Sequence, residues 1–225
     1  VRSFFQWIQS LFNSTPAVRQ STKLTPSSQA TTTDPPTVIY ICVQTAGPLR
    51  QSEILSDVVQ RRQSFRSLGT DKRELEEIRH PHAVVVTQDC DLEQDFKARL
   101  EEPSTPNVAD KVIPNILLLE AISVTELLAG LAGKDIRKRV RQNKDERYHV
   151  FQRVEAADDA EGVGLTALGA DFKRCFTVPT DELYAQLRSN AKRRTYLSSP
   201  YMEHFAKRFA DFQSRVALPK AHEID

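Results

Sequence analysis

Seven glycines in 225 residues leave this chain without a phosphate-cradling loop, because neither the spaced glycines of a dinucleotide-binding turn nor a Walker-type loop can be traced in it. Cysteine is as scarce. Cys42, Cys90 and Cys175 are odd in number and far apart, which excludes a disulfide framework and the paired short spacings of a zinc site. They read as reduced thiols. No apolar run approaches the roughly 18 residues that span a bilayer, and the start carries no charged, apolar and small-residue succession of a secretory signal. A cytoplasmic protein with no membrane span is the expectation.

Charge of one sign is also lacking: 31 Lys and Arg stand against 30 Asp and Glu. The distribution is nevertheless uneven. Residues 50–133 hold 10 basic against 15 acidic side chains, and residues 134–225 hold 18 against 14, so an acidic middle precedes a basic last third. A locally basic face is a solvated surface or a surface that phosphate backbones select.

What is present falls into two unlike parts. Phe4, Phe5, Ile8, Leu11 and Phe12 have helical spacing, and a Ser/Thr/Gln/Pro tract follows with almost nothing to bury. Residues 1–36 therefore read as a disordered segment with a short amphipathic helix, suited to a membrane surface or a partner. Residues 37–225 read as one α+β domain. "TVIYICV" is a strand, "GPLRQSEILSDVVQ" leads into a strand or short helix, and the polar stretch Arg61–Arg79 predicts a loop or short exposed helix. "AVVVTQ" predicts a buried strand because three consecutive valines leave no polar face.

Further along, Asp91 and Gln94 form a capping-box pattern before "LEQDFKARLEE", and Ser123 with Glu126 repeats it. Pro114 inside "KVIPNILLLEAI" predicts an edge position or a bulge. "KDIRKRVRQNKDER" predicts a basic helix, and "YHVFQRV" and "DFKRCFTVP" two strands of a hairpin. Thr180 is placed to cap the next helix. Ser199 and Pro200 open a last helix with a stripe of Tyr201, Phe205, Phe209, Phe212 and Val216. The expected class is a small curved or barrel-like mixed sheet with packed helices and a C-terminal amphipathic helix.

Two stretches invite chemistry. In "HPHAVVVTQDCDLEQDF", Asp89, Cys90 and Asp91 stand at a strand end, where the carboxylates suit a divalent metal ion or acid/base work and the thiol a nucleophile. A nucleophilic cysteine needs positive charge beside its thiolate, however, and two carboxylates supply the opposite. His80 and His82 lie at the far end of the same strand. The bland reading makes Asp91 a helix cap, Cys90 a buried small hydrophobe and Asp89 a turn former.

The second stretch, residues 133–149, gathers Arg137, Lys138, Arg141, Asn143, Lys144 and Arg147 beside Tyr148 and His149. Such a segment follows a phosphate backbone or is a solvated helix face. With His149 taking a 2′-hydroxyl proton and Arg141 and Arg147 stabilising the phosphorane, it also suits RNA cleavage without a metal. "KRR" at 192–194 adds to it only if folded onto the same side. The expectation is a binding module for RNA or DNA. The alternatives are a phosphoester hydrolase using either stretch, and an adaptor holding a partner protein through its C-terminal helix.

"VVVTQDCDLEQDF", "RQNKDERYH", "DFKRCFTVPTDELY" and "LSSPYMEHFAKRFADFQSRVALP" together resemble a family of small bacterial proteins, over about Leu49 to Pro219, a likeness that implies no particular activity. The order of "RQSEIL" and "HPHAVVVT" is similar to the MazF/PemK toxin layout, which implies an SH3-like barrel that cleaves RNA. Here Ser52-Glu53 replaces that family's Gly-Asp and His80-Pro81-His82 its Arg-Pro.

Overall fold

The structure, a computed structural model, describes residues 38–65, 73–101 and 108–215. The N-terminal helix and linker expected over residues 1–36 lie outside them, as does Val216. Seven strands form one sheet: β1 (Tyr40–Cys42), β2 (Ile54–Phe65), β3 (Arg73–Val85), β4 (Asn115–Ser123), β5 (Tyr148–Phe151), β6 (Leu168–Pro179) and β7 (Lys192–Leu197). Their order is β1-β7-β2-β3-β4-β6-β5, and every pairing is antiparallel. The sheet has two edges and does not close.

Among the described residues six α-helices pack around it: α1 (Asp89–Leu100), α2 (Val108–Lys111), α3 (Val124–Ala129), α4 (Lys134–Arg141), α5 (Thr180–Ser189) and α6 (Tyr201–Gln213). The chain is thus α+β, a sheet with packed helices. Alternation along the central strands divides the core into two layers. Ile54, Val84 and Leu119 face one side with Phe205 and Phe212 of α6. Leu55, Ala83, Val85 and Leu118 face the other with Leu92 and Phe96 of α1 and Leu183 of α5. Both faces are covered, so the valine run needs no polar face. The aromatic stripe of α6 is core: Phe205 and Phe212 are buried, with Tyr201 and Phe209 packed beside them. Each such ring contributes about 1.5–3 kcal/mol by leaving water.

In the polar stretch Arg61–Arg79, expected as a loop or short helix, the described residues 61–65 and 73–79 are strand. β2 and β3 pair from Ile54↔Val84 out to Phe65↔Arg73, well past Ser56 and His82, where pairing with β7 and β4 stops. The outer part is a two-stranded ribbon exposed on both faces, so it shows no apolar alternation. Cross-strand pairs Arg61–Glu77 (2.7 Å) and Arg62–Glu76 (3.0 Å) hold its register. Gln186 of α5 bonds both the N–H and the carbonyl of Val59, occupying the ribbon's edge where β7 leaves it.

Helix starts depart from the caps expected of them, with one exception. Ser123 Oγ accepts from Glu126 N–H at 3.1 Å, as the capping box requires. At α1 the cap position is Gln88 and no side chain caps, so Asp89 and Asp91 both fall in the first turn, where the helix dipole favours them. Pro179 precedes α5, and Thr180 inside it donates its hydroxyl to Ile113 O at 2.6 Å. Pro200, not Ser199, occupies the cap position of α6. Pro114 marks no edge: β4 begins just after it and lies between β3 and β6.

Candidate functional site

Asp89 is engaged by its own scaffold. Arg50 Nε and Gln51 N–H donate to its Oδ1 at 2.8 and 3.0 Å, and Arg50 also pairs with Oδ2. The carboxylate pins the segment entering β2 to the start of α1. Asp91 and Cys90 are exposed, so Cys90 is not the buried hydrophobe of the bland reading. The thiol lies 3.6 Å from Asp91 Oδ1 and 3.8 Å from Gln88 Oε1, both oxygen acceptors. Among the described residues no group of three or more His, Cys, Asp or Glu is placed to hold a metal ion. Asp89 and Asp91 are thus not joined by a third described side chain of those types.

Of the upstream histidines, His80 is buried and His82 half-buried. His80 stacks on Phe176 with ring centroids 3.9 Å apart, and burial pushes the imidazoles of His80 and His82 below their ordinary value. His149 is buried further, 4% exposed among Phe151, Phe172, Phe205 and His204. Burial first, then the nearby Arg208 and His204, lower its imidazole to about 3. A neutral ring sealed under α6 does not reach a substrate at the surface, which removes the sequence-based role of His149 as a general base.

The two stretches also stay apart. Paired positions run His149↔Ala170, Ala170↔Ala121 and Ala121↔His82, three strand steps from β5 to β3, and Asp89 lies seven residues beyond His82. The separation is on the order of 20 Å.

Within the basic stretch the structure sorts residues into two kinds. Asn143 adopts a left-handed backbone (φ 53°) and its amide bonds both the N–H (2.6 Å) and the carbonyl (2.9 Å) of Val150, which makes it a turn former. Arg137 is half-buried and donates to Leu131 O at 2.9 Å. Val140 turns into the core with Leu127, Leu128 and Tyr148. On the opposite side of α4, Lys134, Lys138 and Arg141 form an exposed row at intervals of four and three, and exposed Lys144 follows the helix. No described carboxylate pairs with any of these four.

Arg147 enters a different setting, a cleft of about 310 Å³ between α3 and strands β4, β5 and β6. A bulge in β6 builds it. Leu119 pairs with Cys175 and Ala121 with Ala170, so Glu120 alone faces the four residues Asp171–Arg174. Asp171 accepts from Arg147 Nε at 2.8 Å and from Lys173 N–H at 3.0 Å. Burial alone would raise this carboxyl, but the bonds from Arg147 and Lys173 N–H, with the charges of Arg147 and Arg174, together hold it below the usual range. Arg174 pairs with Glu120 at 2.8 Å, and Glu126 adds a carboxylate at the rim. Glu120, Glu126, Asp171 and Arg174 escaped the sequence reading because only the bulge brings them together. The one local sign was "KRC", three consecutive exposed residues where a strand should alternate.

The "KRR" of residues 192–194 goes elsewhere. Arg193 is bidentate to fully buried Glu53 (2.5 and 2.8 Å) and donates to the carbonyls of Gly47 and Pro48. Arg194 is bidentate to Asp159, both bonds 2.7 Å, and these bonds lower that carboxyl to about 2. The two guanidinium groups clamp loops on opposite faces of the sheet. They add nothing to a basic surface.

No protein-family model, curated protein or solved structure matches this chain. No helix among the described residues is long and apolar enough to cross a membrane.

Proposed function

We propose that this protein is a cytoplasmic binding module for nucleic acid, with α4 as the element that follows the phosphate backbone. One observation carries the reading. Guanidinium groups elsewhere are largely neutralised by carboxylates, as at Arg50, Arg61, Arg62, Arg99, Arg147, Arg174, Arg193 and Arg194. Lys134, Lys138 and Arg141 along α4, and Lys144 just after it, are left exposed without such partners among the described residues. Phosphates replace missing carboxylates, and the release of their counterions supplies the affinity.

Fluorescence anisotropy of labelled RNA and duplex DNA at several salt concentrations tests this. Four engaged cations give a log–log salt slope of about −3 to −4 on duplex DNA. Reversing Lys138 and Arg141 to Glu flattens that slope and weakens binding. Absence of binding at low salt, or binding indifferent to the reversals, refutes the reading.

A further inference from the structure

We infer that the cleft beside α4 receives an unpaired base, so that the protein selects single-stranded over duplex nucleic acid; this rests on the binding reading above. The position is the first argument. Gly130 and Leu131, which lead into α4, and Arg147 and Tyr148, which follow it, line the same cleft. The cleft therefore adjoins the segments at both ends of α4.

The lining is the second argument. Arg147 is held in plane by its two bonds to Asp171, and its guanidinium lies 4.9 Å from the Tyr148 ring centroid. Half-exposed and clamped in this way, it is a fixed planar surface of the kind on which unpaired bases stack. Ile122, Leu127 and Leu131 supply apolar wall, while Glu126 accepts and Arg174 donates at the rim. A base edge carries both donors and acceptors, which this mixture matches.

The third argument is charge. Glu120, Glu126 and Asp171 against Arg147 and Arg174 leave the cleft with one excess negative charge, so phosphate belongs on α4 and a neutral group in the cleft. At about 310 Å³ it sits at the small end of the roughly 300–1,000 Å³ typical of ligand sites, room for one heterocycle and not for a duplex. In a duplex the base faces are stacked away and only the phosphate contacts remain.

The experiment compares the full chain with single-stranded RNA, single-stranded DNA and duplex DNA of equal length, by anisotropy at fixed salt. One stacked base is expected to favour the single strands by about tenfold or more. Two variants probe the cleft by different means. Arg147→Lys keeps the charge and loses the plane, and Gly130→Trp obstructs the mouth. Gly130 has an ordinary φ of −74°, and a Cβ there meets only Leu127 O at 3.7 Å, so this change introduces no backbone strain. Both variants are expected to erase the single-strand preference, with melting curves confirming that each is folded. Equal affinity for single strands and duplex overturns this inference and leaves the binding reading standing. A preference that survives both variants also overturns it, because the base then sits elsewhere. No binding to any of the three overturns both.

Discussion

Two basic clusters, Arg193–Arg194 in β7 and Lys134–Lys138–Arg141 on α4, look alike in the sequence and have opposite fates. The β7 arginines are adjacent in a strand, so they point to opposite faces and each meets a buried carboxylate. The α4 residues recur at helical spacing, so they share one face and meet solvent. Periodicity, and not charge count, decides whether a basic run becomes two structural clamps or one surface. The difference predicts that stability and binding separate cleanly between the clusters.

The largest effect is expected at β7. Arg193→Met leaves Glu53 buried without its partner, and loss of one member of such a pair costs about 3–5 kcal/mol. Urea unfolding should show this. The double variant Glu53→Met/Arg193→Met should recover most of the loss, since it removes the uncompensated charge. Recovery by less than half would mean that the Gly47 and Pro48 carbonyls hold more of the energy than Glu53 does.

Next comes pH, through His149. Its imidazole is at about 3 when folded against an ordinary 6.5, so the unfolded chain binds the extra proton between those values. The neutral ring's contribution is complete above pH 6.5 and is lost as pH falls toward 3. Each pH unit of that interval is worth about 1.4 kcal/mol, so a few kcal/mol are at stake. His149→Leu should flatten unfolding free energy between pH 6.5 and 4. Asp159 acts lower still: depressed to about 2, it holds its contribution above its ordinary 3.8 and loses it as pH falls through that range.

At α4 the balance inverts. Lys138→Glu with Arg141→Glu should move unfolding free energy by no more than about 0.5 kcal/mol per site, as exposed substitutions do. The same pair should take about two or more from the salt slope of binding. An unstable α4 variant, or an Arg193 variant that binds nucleic acid weakly while folded, would break the comparison.

How much of this was legible in the sequence follows the same physics. Elements with a helical period or an unbroken apolar run could be read: the α6 stripe, the basic helix and the valine strand. The β2–β3 ribbon could not, because strands exposed on both faces have no apolar alternation and their register rests on Arg61–Glu77 and Arg62–Glu76 across the ribbon. The α1 cap was misplaced by three residues, Asp91 for Gln88, because Asp89 is held by Arg50 and Gln51, partners 39 and 38 positions away. His149 sits in a basic stretch that reads as surface, and only the strand β5 under α6 turns it inward. The cleft depends on pairing β6 to β4 across a four-to-one bulge, which no single stretch encodes.

The smallest expected effect concerns Asp89 and Asp91. The Arg50–Asp89 pair is partly open to water, its side chains 38% and 23% exposed, so Coulomb energy there is screened. Asp89→Asn keeps an oxygen for Gln51 N–H and loses the charge facing Arg50 and the α1 dipole, together about 1 kcal/mol. Asp91→Asn should change stability by about 0.5 kcal/mol or less, being exposed in the same turn. Thermal melting with and without magnesium makes this sharper than a stability figure alone. If Asp89 serves only as a pin, magnesium shifts the wild type and both variants alike. If the two carboxylates hold a cation, magnesium raises the melting temperature of the wild type and of neither variant, and the strand end at β3 regains the metal chemistry that its Arg50 partner argues against.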